Sequence, residues 1–291
     1  MHALKFKIHE VFRYRVWVLA LAAAFLLQPS VALSHEVNKS AIVLLVVKGD
    51  KGQTLGTGTG FIVKPDGTLI TNYHVLVDAV SVEAVFHNGD RVSVQGVMSL
   101  DRSQDFSVLK LEGDLYSTLE IGDSDQLKEY DYTSALGYPS QNVQMERGGM
   151  KGALLQTYGF ILGVHPQALP EFSFLYTTTP FEPGFSGGPL VNKQNQVVGL
   201  ATLEGRSINL ALPINTIKPH LNDQKLMTFQ QLLKADKLSK EALYYRGNFT
   251  LYALGETDRA IDLYQRALKI DPDFVLARYD LAVTYRGMGE V

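Results

Sequence analysis

Three polar residues, far apart in the chain but each set in a short distinctive motif, carry the chemistry that this sequence offers. His74 lies in Thr71-Asn72-Tyr73-His74-Val75, directly after the strand-like Gly67-Thr68-Leu69-Ile70. Asp105 lies in Asp101-Arg102-Ser103-Gln104-Asp105-Phe106-Ser107-Val108-Leu109-Lys110, and Ser186 in Pro183-Gly184-Phe185-Ser186-Gly187-Gly188-Pro189-Leu190. A serine hydroxyl is a poor nucleophile until a neighbouring imidazole removes its proton. That imidazole needs a carboxylate to fix its tautomer and to balance the cation it becomes. The oxygen that turns negative in a tetrahedral intermediate needs preorganised donors. A Gly-x-Ser-Gly-Gly turn can aim backbone N–H groups there, because glycine tolerates the dihedrals required. These types predict acyl transfer, with Ser186 as nucleophile, His74 as general base and acid, and Asp105 as the orienting acid. The N–H groups of Gly184 and Ser186 are the expected oxyanion donors. The order His, Asp, Ser is that of the chymotrypsin class and differs from the subtilisin and α/β-hydrolase orders.

Each assignment competes with a plainer one. His74 could be a packed core histidine, and Ser186 a turn serine, although two glycines and a proline after it argue for a built loop. Asp101, Asp90 and Asp78 compete with Asp105. Asp101 reads as a turn residue, whereas Asp105 opens an apolar strand, the better setting for a buried carboxylate. Gly56-Thr57-Gly58-Thr59-Gly60 superficially suggests a phosphate loop, but it leads into a strand and lacks the Lys-Ser/Thr ending. The remaining histidines show no ligand spacing with other donors, so neither a metal nor another cofactor is expected. Thiol catalysis and thiolate sites are excluded, for the chain has no cysteine. With a formal net charge of −3, no field favours nucleic acid or an anionic membrane. Asn38-Lys39-Ser40 and Asn248-Phe249-Thr250 match glycosylation acceptors, a pattern with a high chance rate.

Strands must position these motifs. From Ser40 to about Leu212, short runs rich in valine and isoleucine are punctuated by glycine, proline and Asn/Asp turns. The first series runs through Ala41–Val47, Gly60–Val63, Thr68–Thr71, Ser81–Phe86, Arg91–Val97 and Phe106–Leu111, with an Asn88-Gly89 hairpin signal. A second runs through Tyr132–Leu136, Ala153–Leu162, Phe174–Thr178, Val197–Ala201 and Ile208–Ala211. Two clusters of short, evenly spaced strands predict paired β-barrels and a mainly β protein.

The two ends differ in texture. Lys5, Lys7, Arg13 and Arg15 precede an apolar run from Val16 to Leu27, after which come Pro29 and small residues at Ser30, Ala32 and Ser34. This reads as a signal peptide over residues 1–34, cleaved after Ala32 or Ser34. The run is shorter than the roughly 20 residues a membrane span needs, so no stable span is expected after cleavage. The mature chain would then be exported, to the periplasm or beyond. Residues 221–240 are polar with helical spacing and read as a helical linker. From 241 to 291 the chain is helical and repeats, for Gly255 and Gly289, Glu256 and Glu290, and Tyr245 and Tyr279 share one interval. The interval is that of the tetratricopeptide repeat. Ala260-Ile261, Tyr264, Ala267-Leu268 and Ile270-Asp271-Pro272 resemble its second helix and closing turn, while Gly247 and Asn248 depart from its usual Leu-Gly pair. A plain helical hairpin shares the periodicity.

The stretch from Gly56 through His74, the Asp101–Lys110 segment, the serine loop and Leu210-Ala211-Leu212-Pro213-Ile214 together resemble the HtrA/DegP type of trypsin-like serine peptidase. The resemblance covers about residues 40–220 and implies two six-stranded antiparallel barrels with the site between them, within a protease domain over 35–220. It also implies endopeptidase action on extended or unfolded polypeptide. Enzymes of this type often form trimers, but no residue pattern here establishes an oligomer. Two departures stand out. Residue 185 is Phe where the family commonly has Asn, which leaves the shape of the oxyanion loop open. The tail is tetratricopeptide-like where PDZ domains are usual, so a protein partner is expected there. Digestive trypsins carry an acid six residues before the serine, where this chain has Pro180. With Phe181, Thr202 and Leu203 as the other expected substrate contacts, a small or aliphatic side chain fits better than Lys or Arg; nearby Glu182 is the counter-signal. Two readings compete with proteolysis: a catalytically silent protease-like scaffold that binds peptides, and an adaptor whose function lies in the tail.

Overall fold

A computed structural model describes residues 36–289 apart from 147, 170–171, 204–208 and 224. The reading of residues 1–34 as a signal peptide falls outside the described residues.

Strand β1 (Ile42–Lys48) explains the architecture best, because its sequence is apolar without alternation. Side chains of a strand alternate between two faces, so a continuous apolar run requires burial on both. Val43, Leu45 and Val47 point into one core with Ile62, Leu69 and Leu109. Ile42, Leu44 and Val46 point into another, shared with Leu136, Tyr138, Val191 and Leu212 from the second half of the chain. The first core fills a barrel and the second joins that barrel to its neighbour.

The first barrel comprises β1, β2 (Thr54–Ile62), β3 (Thr68–Thr71), β4 (Ser81–Val85), β5 (Arg91–Asp101) and β6 (Phe106–Leu111), closed in the order β1-β2-β3-β6-β5-β4. The second comprises β7 (Tyr132–Gly137), β10 (Leu155–Leu169), β11 (Phe172–Thr177), β12 (Pro189–Asn192), β13 (Val197–Leu203) and β14 (Asn209–Pro213), closed in the order β10-β11-β14-β13-β12-β7. A separate hairpin pairs β8 (Val143–Glu146) with β9 (Gly149–Gly152). The expected mainly β, two-barrel class is therefore what the chain adopts. β5 and β10 run past their expected ends, and two further strands depart from the sequence reading in kind. β2 starts at Thr54, well before Gly60, because alternating threonine and glycine can pair in a ladder without displaying an apolar period. The sixth strand of the second barrel is β12, four residues immediately after the serine loop and too short to show a pattern.

The barrels are also stitched by polar contacts. Thr59 Oγ1 donates to the Gly184 carbonyl (2.7 Å) and accepts from the Tyr138 N–H (3.0 Å). The Tyr138 hydroxyl donates to the Ile42 carbonyl at 3.2 Å, and burial pushes its phenol up to about 12.

Beyond β14 the chain makes an antiparallel bridge between Met227 and Val97 on β5. It then enters helices α1 (Phe229–Asp236), α2 (Lys240–Tyr252), α3 (Thr257–Ile270) and α4 (Val275–Met288). Thr228 caps α1 in a reciprocal box with Gln231, and the Ser239 side chain caps α2; each such cap contributes about 1 kcal/mol. Phe229, Leu232 and Ala242 enter the core of the first barrel, while Leu243, Tyr244, Ala260, Leu263, Tyr264 and Ala267 form a core of their own. Gly247 has a packing reason: a Cβ there would stand 2.5 Å from the Tyr264 ring. Asn248 Oδ1 accepts from the Tyr264 hydroxyl at 2.7 Å. Two ion pairs clamp the helices to the barrel. Arg102 Nε donates to the buried Asp236 carboxylate at 2.9 Å, and Arg246 pairs with Asp78 through two nitrogens.

Candidate active site

His74 opens a single 3-10 turn, His74–Leu76, immediately past β3. Asp105 stands at the tight turn between β5 and β6 with a left-handed φ of 58°. Closing β3 against β6 brings these two turns side by side, since Thr71 pairs with Ser107. The Asp105 carboxylate then takes both polar groups of His74. Oδ2 lies 2.7 Å from Nδ1, and Oδ1 accepts the His74 backbone N–H at 2.9 Å. Asp105 is almost fully buried (side chain 5% exposed) while the imidazole keeps 27%. One ring edge is thus held from inside and the remainder reaches the surface.

The other carboxylates face elsewhere. Asp101 accepts from the Ser103 and Gln104 N–H groups within its own turn. Asp90 bonds Asn88 in a hairpin, and Asp78 is engaged by Arg246.

The serine loop docks on the histidine loop so closely that only glycine fits at its centre. At Gly187, φ is +86°, and a Cβ would come within 2.1 Å of both the Thr59 carbonyl and Thr71 Oγ1 and 3.1 Å from the Asn72 nitrogen. The Thr59 N–H in turn donates to the Ser186 carbonyl at 2.9 Å. Ser186 is thereby brought beside the segment that carries His74. No hydrogen bond joins its hydroxyl to the imidazole among the described contacts.

The loop's backbone N–H groups divide into those with a protein acceptor and those without one. The Pro183 carbonyl accepts from the Ser140 N–H at 2.7 Å and so turns away from Ser186. The Phe185 N–H donates to the Glu182 carbonyl, and the Gly188 N–H to the Phe185 carbonyl, at 2.8 and 2.7 Å. Neither the Gly184 nor the Ser186 N–H has a protein acceptor among the described residues. Gly184, at φ +102°, passes Tyr138 so closely that a Cβ would meet the Tyr138 carbonyl at 2.3 Å. Phe185 is fully buried among Ala135, Leu175, Leu190 and Val198 inside the second barrel. The loop is therefore anchored by an apolar plug.

The expected substrate contacts are scattered. Pro180 is exposed, and its carbonyl accepts from Thr157 Oγ1 at 2.6 Å. Phe181 belongs to the core of the second barrel. Thr202 sits behind the histidine loop, where Asn72 Nδ2 donates to it at 3.0 Å and also to the Asp105 carbonyl at 2.7 Å. Leu203 ends β13. Asn72 is the residue whose part the sequence reading did not specify: it is buried and ties the Asp105 turn to β13. Its place two residues before His74 was the available signal. Among the described residues, no group of three or more His, Cys, Asp or Glu could hold a metal ion.

Two closed antiparallel barrels, with the histidine turn on one and the serine turn on the other, make a trypsin-like peptidase fold. Residues 58–200 match the family described as trypsin-like peptidase domain, and residues 250–289 match the TPR repeat. A "probable periplasmic serine endoprotease DegP-like" of Chlamydia trachomatis serovar D is 34% identical over 148 residues, 50% of this chain and 28% of that one. The serine protease HTR4 of Rattus norvegicus is 29% identical over 220 residues, 75% of this chain and 42% of that one. The chain therefore spans less than half the length of these relatives. Among solved structures, a serine endoprotease from Yersinia pestis superposes with a TM-score of 0.56 at 22% identity, covering 66% of each chain. The HtrA-type protease AlgW with tripeptide gives 0.55 at 22%, covering 71% of this chain and 64% of that one. This chain therefore carries a trypsin-like peptidase domain and a tetratricopeptide repeat, and the relatives it resembles are named as serine proteases of the HtrA/DegP type.

Proposed function

We propose that the chain is a serine endopeptidase that cleaves extended or unfolded polypeptide through an acyl-enzyme. The observation that carries this reading is the two-point grip of Asp105 on His74. A carboxylate that bonds both the ring Nδ1 and the backbone N–H fixes the tautomer that leaves Nε2 free to accept a proton. In this reading Nε2 takes the Ser186 proton as Oγ attacks the peptide carbonyl, and the N–H groups of Gly184 and Ser186 receive the oxyanion. The proton then passes to the leaving amine, and water repeats the sequence in reverse to release the acid. Loss of one oxyanion donor costs roughly 100- to 1,000-fold in such sites, so the unspent N–H groups weigh against a silent scaffold.

Export to the periplasm or beyond belongs to the same proposal, and the names of curated relatives support it. No described helix is long and apolar enough to cross a membrane. The tetratricopeptide region is proposed to bind a protein partner. Preference for a small or aliphatic residue before the cut follows from Pro180, and cleavage profiling that returns mainly Lys or Arg would overturn it.

The deciding experiment is labelling with a fluorophosphonate probe, beside His74→Ala and Ser186→Ala. Labelling that both variants lose is expected. Absence of labelling, even with unfolded protein present, would transfer the function to peptide binding by the barrels. Partner binding unaffected by Ser186→Ala and reproduced by the helices would transfer it to the tail.

A further inference from the structure

We infer that Tyr245, on the first helix of the tetratricopeptide region, is a positioning residue for His74, which makes the helical tail part of the catalytic unit. The inference rests on the reading of His74 as the general base. The Tyr245 ring lies 5.6 Å from the imidazole, centroid to centroid, with the planes tilted by 32°. It also meets the ring of Tyr73, the residue before His74, edge-on at 5.9 Å. The imidazole is therefore held by a carboxylate at one edge and has an aromatic ring, tilted by 32°, packed beside it. Burial, and the negative charge of Asp105 after it, drive the Tyr245 phenol well above its ordinary range. That ring thus stays neutral beside the pair at any working pH.

The neighbours of Tyr245 hold it there from both sides. Tyr244 turns into the tail core, where its hydroxyl donates to Asp280 at 2.8 Å and its ring meets Phe274. Arg246 turns to the barrel and grips Asp78, four residues past His74. Side chains at consecutive helical positions diverge by about 100°, so these two anchors leave Tyr245 aimed at the histidine turn between them. A general base must stay within a fraction of an ångström of its productive place. A misplacement of 1 Å costs on the order of 100-fold. A ring packed on the imidazole blocks the rotation by which a histidine swings out of reach.

The test uses the full chain as wild type, Tyr245→Phe, Tyr245→Ala and Tyr245→Leu, with melting curves for each. Fluorophosphonate labelling is followed across probe concentrations to separate the saturating rate from half-saturation. Tyr245→Phe is expected to stay within about threefold of wild type. Tyr245→Ala and Tyr245→Leu should lose roughly 10- to 100-fold in saturating rate, with half-saturation little changed. Tyr245→Leu retains apolar volume, so it carries the comparison if Tyr245→Ala does not fold. A well-folded Tyr245→Leu that labels at the wild-type rate overturns the inference.

A second readout needs no activity. In a Ser186→Ala background the His74 ring protons should show an aromatic ring-current shift in the NMR spectrum, abolished by Tyr245→Leu. Wild type that labels while these signals ignore Tyr245→Leu refutes the role of Tyr245 alone. Wild type that never labels, with the signals moving as expected, refutes the base assignment while leaving the contact intact.

Discussion

The ring of Phe185 rests on Gly137 so closely that a Cβ added to the glycine would lie 2.7 Å from the ring. Phe185 thereby fastens the serine turn to the interior of the second barrel. Phe185→Ala should lower stability by about 3–5 kcal/mol, the usual result of truncating a buried phenylalanine. Labelling of Ser186 should fall by more than the loss of folded protein explains. Gly137→Ala should cost about 1–3 kcal/mol by overpacking the same contact. Urea unfolding beside labelling kinetics measures both.

Asp105→Asn tests the two-point grip. An amide can still occupy the space and accept the backbone N–H of His74, but it can turn its own N–H toward Nδ1 and so favour the wrong tautomer. A fall of about 10,000-fold in turnover is expected, with little change in melting temperature. A change under tenfold would remove Asp105 from its proposed role.

Arg102 and Asp236 give the tail a pH dependence with a definite sign. Burial raises the Asp236 carboxyl, and the Arg102 guanidinium pulls it back without fully offsetting that rise. A carboxyl raised in the folded state weakens folding as pH climbs from its ordinary 3.8 through the folded value, and the effect is complete above that. Arg102→Met removes the cation and drives the carboxyl higher still. The stability gap between wild type and variant should therefore be smallest near the ordinary carboxyl value and widest at neutral pH. Thermal melts across pH should find a gap of about 3 kcal/mol at pH 7, the low end for a broken buried pair because Arg102 is 24% exposed.

Gly247→Ala should act through the tail alone. The new methyl group would collide with the Tyr264 ring, costing about 1–3 kcal/mol. Circular dichroism should show partial loss of helix at lower temperature than the barrels melt. Labelling should weaken in step with that melt, since the tail carries Tyr245.

The three candidate-site motifs were readable because each is a local string with local constraints. Gly184 and Gly187 stand where left-handed dihedrals and close approach exclude a side chain, and that requirement is written into consecutive residues. β1 was legible as a strand, and its unbroken apolar run fits the burial on both faces that the structure shows. β2 before Gly60 and β12 were illegible, since threonine-glycine alternation and a four-residue strand carry no usable period. Asn72 was visible as a neighbour of His74, but nothing local reveals that its amide reaches Asp105 and Thr202. The departures at Gly247 and Phe185 looked like weaknesses in the sequence and are both explained by a ring packed on a glycine.

Residue types and spacing alone determined the barrel class, the helical repeat and the identity of His74, Asp105 and Ser186 as candidates, because periodicity, turn chemistry and motif order are properties of short segments. Tertiary structure alone decided which carboxylate meets His74, that Phe181 serves the core, and that a tyrosine from the tail covers the histidine. Those are contacts between segments distant in the chain. They come into being only when both barrels close and α2 docks, and no local periodicity encodes them.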